Sequence, residues 1–247
     1  MHDEAKRGIR ILLSADGKSQ VILNDIKSDS NVPRQIEPAV SFGRYAVEKR
    51  IGKGAMGEVF LAHDPMLKRP VAIKAIALDS LLDTAMRGEY LARFTVEATS
   101  SARLNHPSIV AVYDAGAQDT VPWIAFQYVD GEGLDKVIKR QGRLSIKRAL
   151  LVAVDIASAL EHAHSMHIIH RDIKPANILI DNRSGVAMLM DFGVAKVPWT
   201  SLTGEGMALG SPGYMSPEQI NGSALDERSD IFSLGIVLYE MLTGRHP

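Results

Sequence analysis

The chain has 247 residues, 46% of them hydrophobic and 23% charged, and 28 Lys and Arg set against 29 Asp and Glu leave a net charge of −1. At roughly 100–200 residues per domain this gives one or two domains with a real core, and the charge excludes a global basic field for nucleic acid or an anionic membrane. There is no cysteine, which excludes a disulfide scaffold, a thiolate zinc finger and a cysteine nucleophile.

From the N-terminus, Met1 to Arg7 is charged, without the apolar stretch of a signal peptide or the glycine of a myristoylation site. No later run reaches the about 18 apolar residues of a membrane span, and the lack of cysteine fits a reducing cytoplasm, the expected setting. Residues 9–26 read as a hairpin, because Ile9 to Leu13 and Val21 to Leu23 flank Asp16-Gly17, a strong turn signal. Residues 27–41 are polar with Pro33 and Pro38, so 1–43 is expected to be a hairpin and linker. From 44 to 130 the chain is strand-rich: Val59 to Ala62, Val71 to Ile76, Ile109 to Tyr113 and Trp123 to Phe126 are short apolar runs, with a helix expected over Glu89 to Leu104. From 131 to 247 it is helix-rich, with helices expected over Ile146 to Met166 and Ser229 to Leu242. This order predicts an α+β fold of two lobes with a cleft between them.

Chemistry-bearing motifs fall along that order. Gly52-Lys53-Gly54-Ala55-Met56-Gly57-Glu58-Val59 has three glycines, and the following alternation to His63, stopped by Asp64-Pro65, is a return strand. A glycine-rich hairpin tip lets backbone N–H groups approach phosphate, whereas a dinucleotide fingerprint would open a helix. Lys74 ends Val71-Ala72-Ile73-Lys74 in an apolar setting and needs an anion, either phosphate or a carboxylate such as Glu97. In His170-Arg171-Asp172-Ile173-Lys174-Pro175-Ala176-Asn177 an acid, a lysine and an amide can converge only in a tight loop. There Asp172 can accept or orient a hydroxyl proton, Lys174 can neutralise a moving phosphoryl group, and Asn177 offers Mg²⁺ a neutral oxygen. Asp191-Phe192-Gly193 follows an apolar strand, where a carboxylate suits a metal ligand facing a cleft.

These strings, with Ser216-Pro217-Glu218, resemble the eukaryotic-like (Hanks-type) serine/threonine protein kinases of bacteria over about residues 44–247. The stretches Gly210 to Gln219 and Arg228 to Gly235 share the bacterial look. The resemblance implies a two-lobed protein-kinase fold, a small β-rich lobe and a larger helical lobe. The family fold continues for several helices past Pro247, so the large lobe is expected to lack its C-terminal helices and an Arg partner for Glu218.

It also implies transfer of the ATP γ-phosphate to Ser or Thr of protein substrates, with Mg²⁺ or Mn²⁺. The loop Gly52, Lys53, Gly54 and Gly57 would cover the phosphates. Lys74 would hold them and pair with Glu97. Asp172 would be the base, Lys174 would contact the γ-phosphate, and Asn177 and Asp191 would hold the metal. Phe126 would back the adenine, the backbone of Gln127 and Val129 would bond it, and Ile51, Val59, Ala72 and Leu179 would line it. Ser211, in place of the family's usual threonine, would face the substrate. Arg171 before the catalytic acid implies control by a loop phosphate. Thr203 is the preferred autophosphorylation site, with Thr200 and Ser201 secondary. ATP and protein substrates are the expected partners, no nucleic acid is, and a homodimer through the small lobe is a further expectation.

The alternatives are a pseudokinase serving as an ATP-binding signalling module, a small-molecule phosphotransferase and a dehydrogenase. Lys74, Asp172 and Asp191 together argue against the first, and the long segment from Asp191 to Glu218 argues against the second. The hairpin setting of the glycines argues against the third. His162, His164 and His167 lack clean metal-site spacing, and the run Lys136, Lys139, Arg140, Arg143, Lys147, Arg148 reads as a solvated face.

Overall fold

Alternation along two central strands decides which side chains reach the cleft. In the computed structural model, which describes residues 7–13, 19–25, 41–54, 57–76, 94–96, 98–118, 121–192 and 212–247, β3 (Ser41–Phe42), β4 (Tyr45–Gly54), β5 (Gly57–Asp64), β6 (Arg69–Ile76), β7 (Val112–Gln118) and β8 (Val121–Gln127) form one antiparallel sheet. Its order is β3-β4-β5-β6-β8-β7. On β6 and β8 the odd-numbered Val71, Ile73, Trp123 and Ala125 pack with Phe42 and Tyr45 on one face. The even-numbered Ile76, Ile124 and Phe126 pack with Phe94 and Ala98 on the other, with Ala72 at its edge. Side chains alternate across a strand, so Lys74 shares the face of Ala72 and Ile76.

Ahead of this sheet, β1 (Arg7–Leu13) and β2 (Ser19–Asp25) pair antiparallel from Arg7↔Asp25 to Leu13↔Ser19. The expected Asp16-Gly17 turn lies outside the described residues. Helical residues at 94–96 and 98–101 fall within the helix expected over 89–104.

The expected strand at Ile109 to Tyr113 starts later, at Val112. Ile109 instead makes a parallel bridge to Leu189. Val110 N–H donates to Leu189 O at 2.9 Å, and Leu189 N–H donates to Ser108 O at 2.9 Å. That stitch ties the sheet to a second small sheet, β11-β10-β9, built from β9 (Gly131–Gly133), β10 (Ile178–Asp181) and β11 (Ala187–Leu189).

The second half is helical: α1 (Leu134–Gln141), α2 (Ile146–Ser165), α3 (Pro217–Ile220) and α4 (Arg228–Thr243). Ser145 caps α2 by accepting the Arg148 N–H. Ala149, Val152, Ile156, Ala159, Leu160 and Ala163 form its buried stripe, spaced by three and four residues. Full burial of a side chain such as Ile156 or Leu160 contributes about 1.5–3 kcal/mol, and the alanines let α4 approach with Val237 and Met241. Among the described residues no helix is long and apolar enough to cross a membrane.

Candidate active site

The segment between α2 and β10 is held from below by one carboxylate. Asp230, in the first turn of α4 and 1% exposed, accepts the His170 N–H on Oδ2 and the Arg171 N–H on Oδ1, both at 2.8 Å. His164 Nε2 lies 2.8 Å from Asp230 Oδ2. With Nδ1 accepting the Asp172 N–H, the buried His170 ring donates from Nε2 to Met190 O at 2.8 Å. Arg171 takes φ +67°, a conformation that costs a non-glycine residue of order 1–3 kcal/mol and persists only where surroundings impose it. The two bonds from Asp230 impose it here.

The same anchoring aims Asp172, Lys174 and Asn177 at one point. Lys174 Nζ is 3.1 Å from Asp172 Oδ2. Asn177 Nδ2 donates to Asp172 Oδ2 at 2.9 Å and to Asp172 O at 2.8 Å. Since the amide nitrogen is spent on Asp172, the amide oxygen is what Asn177 can offer a cation. The Asn177 backbone is tied at both ends, its N–H to Lys174 O and its carbonyl to Met190 N–H, each at 3.0 Å.

Across from this loop, Lys74 Nζ meets Asp191 Oδ2 at 2.7 Å. Asp191 has φ +63°, and its Oδ1 is buried with no hydrogen-bond partner. An orphaned carboxylate oxygen costs about 1–3 kcal/mol or more, and a cation would satisfy it. Among the described residues no three or more His, Asp or Glu gather as a metal cage. The donor set is therefore one carboxylate and one amide oxygen, the pattern Mg²⁺ accepts when phosphate oxygens and water complete its shell. The residues present fit that ion. Phe192 is fixed by Ser101 Oγ donating to its carbonyl at 2.9 Å and by an edge contact with the His170 ring.

Beside these polar groups lies an apolar wall. Phe126 is buried in one cluster with Ile76, Val110, Ile124 and Met188, and Ala72, Val129 and Leu179 pack against it. Val59 faces Lys74 and Gly52 in the sheet register, while Ile51 is largely exposed. Gln127 N–H donates to Ala111 O at 2.8 Å, so it is not the donor to a base. Lys53 sits 3.6 Å from Glu58 at the hairpin tip. Gly54 pairs with Gly57, whose φ is +152° and where a Cβ would strike the Ala75 carbonyl oxygen.

At the loop's other edge, Ser216 and Gln219 form a capping box on α3. Gln219 Nε2 also reaches Arg171 O at 2.9 Å. Glu218 accepts the Ser229 hydroxyl at 2.5 Å, and that bond foremost holds its carboxyl below the usual carboxylate range.

Of the residues expected from sequence, Glu97, Thr200, Ser201, Thr203 and Ser211 lie outside the described residues, as do Ala55, Met56 and Gly193. Sequence reasoning missed Asp230, His164 and Gln219. The signal for Asp230 is an acid between Ser229 and Ser233 in an otherwise apolar helix. His162 is stacked on His106 and accepts the Asn105 N–H.

Comparison with known proteins adds four findings. Residues 45–247 match the family model described as a protein kinase domain. The chain is 45% identical over 206 residues to the serine/threonine-protein kinase PrkC of Bacillus subtilis, covering 83% of this chain and 31% of PrkC. It is 44% identical over 211 residues to PknB of Mycobacterium tuberculosis, covering 83% of this chain and 33% of PknB. The crystal structure of the Mycobacterium tuberculosis PknI kinase domain superposes with a TM-score of 0.72 at 30% identity, covering 86% of this chain and 79% of that one. The chain thus spans about a third of the length of the curated relatives it matches.

Proposed function

Because this chain belongs to the protein kinase domain family, we propose that it transfers the γ-phosphoryl group of ATP to serine and threonine hydroxyls of proteins. The observation that carries the proposal is the convergence of Lys174 and Asn177 on the Asp172 carboxylate, at 3.1 Å and 2.9 Å, opposite the Lys74–Asp191 pair. Asp172 orients the incoming hydroxyl and receives its proton as the new O–P bond forms and the bond to the ADP oxygen breaks. Lys174, already against that carboxylate, follows the negative charge on the moving group. Lys74 holds the phosphates that stay with ADP, and the Ala72, Phe126, Val129 and Leu179 wall takes the base. Asn177 and Asp191 would hold Mg²⁺, which when bound neutralises phosphate charge and sets its orientation. Ser or Thr specificity is supported by Lys174 and Ser211 and by the named activities of the relatives.

Control by autophosphorylation belongs to the same proposal. The Arg171 side chain is exposed and makes no hydrogen bond or ion pair among the described residues, which suits a guanidinium waiting for a loop phosphate at Thr203, or secondarily at Thr200 or Ser201.

The test is incubation with γ-labelled ATP and Mg²⁺, alone and with a generic basic protein, for wild type and Asp172→Asn. Label on Ser and Thr is expected, falling about 10²–10⁴-fold in the variant while affinity for a fluorescent nucleotide is kept. Nucleotide binding without transfer in the wild type would leave an ATP-binding signalling module instead.

A further inference from the structure

Past α4 the chain reverses at Gly244, with φ +74°. The Arg245 N–H is taken by the Thr243 hydroxyl oxygen at 3.2 Å. The reversal lays His246 onto the short turn Pro212–Tyr214 that leads into α3. His246 Nε2 is 2.9 Å from the Gly213 carbonyl oxygen and Nδ1 is 3.1 Å from the Pro247 carbonyl oxygen, so with its proton on Nε2, the shorter contact, the ring donates to Gly213. Its ring meets the Tyr214 ring edge-on, at 88° with centroids 4.8 Å apart. The close approach needs a glycine, since a Cβ on Gly213 would lie 2.6 Å from His246 Nε2.

No residue of this turn is fully buried; Tyr214 packs its partly buried ring on the helical core, Met215 N–H closes the turn on Pro212 O at 3.2 Å, and side-chain contacts supply the rest of the hold. Tyr214 has two such holds on α4: its hydroxyl donates to Glu240 at 2.5 Å, and its carbonyl accepts from Ser233 Oγ at 2.7 Å. Gly213, the residue with the most backbone freedom, is held from outside through His246. The turn continues into Ser216 and Gln219, and Gln219 is bonded to the carbonyl of Arg171, next to Asp172. A polypeptide presenting a hydroxyl to Asp172 therefore lies beside this turn.

We propose that His246 is a positioning residue for the protein substrate, latching Gly213 and Tyr214 in the shape that receives the polypeptide beside Asp172. The proposal rests on the phosphotransfer reading above. One hydrogen bond is at stake, so the effect is modest and selective. His246→Ala is expected to raise KM for a Ser/Thr peptide about 3- to 10-fold, with KM for ATP unchanged. His246→Gln, which keeps an N–H donor at similar reach, recovers most of that loss, and His246→Phe, which keeps only the ring, does not.

Gly213→Ala pushes the ring off the carbonyl from the other side. With His246→Ala it should be non-additive, the double variant no worse than the poorer single one. A second readout needs no phosphotransfer: amide hydrogen exchange over residues 212–216 of the substrate-free protein, faster by a similar factor in His246→Ala and restored in His246→Gln. Equal rises in the peptide and ATP KM values, additive losses, or exchange that does not change would overturn the latch. If the wild type phosphorylates no protein or peptide, the phosphotransfer reading falls and the latch is judged by exchange alone.

Discussion

Gly57 occupies a place no other residue can fill. At φ +152° a Cβ there runs into the carbonyl oxygen of Ala75, a backbone atom of β6 with a strand on either side. Gly57→Ala is expected to cost about 1–3 kcal/mol, read as a fall in melting temperature of about 2–4 °C per kcal/mol for a chain of this size. Nucleotide affinity falls with it, because the strand that must shift carries Lys74 beside Ala75. His106 gives a prediction in pH. Its Nδ1 accepts the Ser108 N–H, Nε2 lies 3.1 Å from Ser158 Oγ, and the ring stacks on His162. Burial first, and then the neighbouring His162, push its pKa below the ordinary histidine value of 6.5, while Asp155 and Glu161 pull weakly the other way. The unfolded chain thus binds this proton more readily than the folded one, and stability is lost as pH falls below about 6.5 towards the lowered value. A thermal melt series from pH 8 to 5 should decline over the acid part of that range, and His106→Gln should flatten the decline. A slope unchanged in the variant would assign the effect to another group.

Among the elements, α4 does the most through a single side chain. Asp230 gathers the His170 and Arg171 amides and His164 Nε2 on one buried carboxylate. Asp230→Ala strands those donors and should destabilise by about 3–5 kcal/mol, the range for breaking a buried charged network, as read by urea unfolding. Release of the strained Arg171 also moves Asp172, so turnover should fall more than tenfold, a loss of about 1.4 kcal/mol in transition-state stabilisation, with nucleotide affinity less affected. Asp230→Asn, which can accept but one amide well, should fall between. His170 to Asn177 was legible because its chemistry depends on residue types at close spacing, and the structure brings Lys174 and Asn177 onto the Asp172 carboxylate. The glycine hairpin was legible from the alternation after Gly57. What escaped depends on contacts between distant residues: Asp230 reads as an ordinary acid in a first helical turn until His170 and Arg171 are seen folded over it. Similarly, Ile109 reads as strand until Leu189 claims it, and the Lys74–Asp191 contact joins residues 117 positions apart in the chain, while Glu97 lies outside the described residues.

For the molecule as a whole, the apolar residues that are not in the core are as informative as those that are. Along α2, Ile146, Leu150 and Val154 recur every fourth residue at 70%, 51% and 65% exposure, and α4 shows Ile231, Phe232 and Tyr239 to solvent. Single exposed apolar residues are unremarkable, but a row of them on a helix forms a patch of the kind that binds other apolar surface. The 247-residue chain should therefore bind a hydrophobic dye and self-associate as concentration rises. Leu150→Lys with Val154→Lys should reduce both, and scattering or sedimentation showing no dependence on concentration would refute the association.

The Lys74–Asp191 pair carries a consequence for how a charged ligand is received. It joins β6 of the sheet to the segment leaving β11, at 2.7 Å, with both side chains mostly screened from water. A triphosphate entering the cleft must win Lys74 from a counter-ion already seated, so its arrival is an exchange of partners and not the addition of one. Adenosine, with no charge to offer, would leave the exchange undone. The charge a nucleotide carries would then be felt at Lys74, and its base at the apolar wall of Ala72, Phe126, Val129 and Leu179.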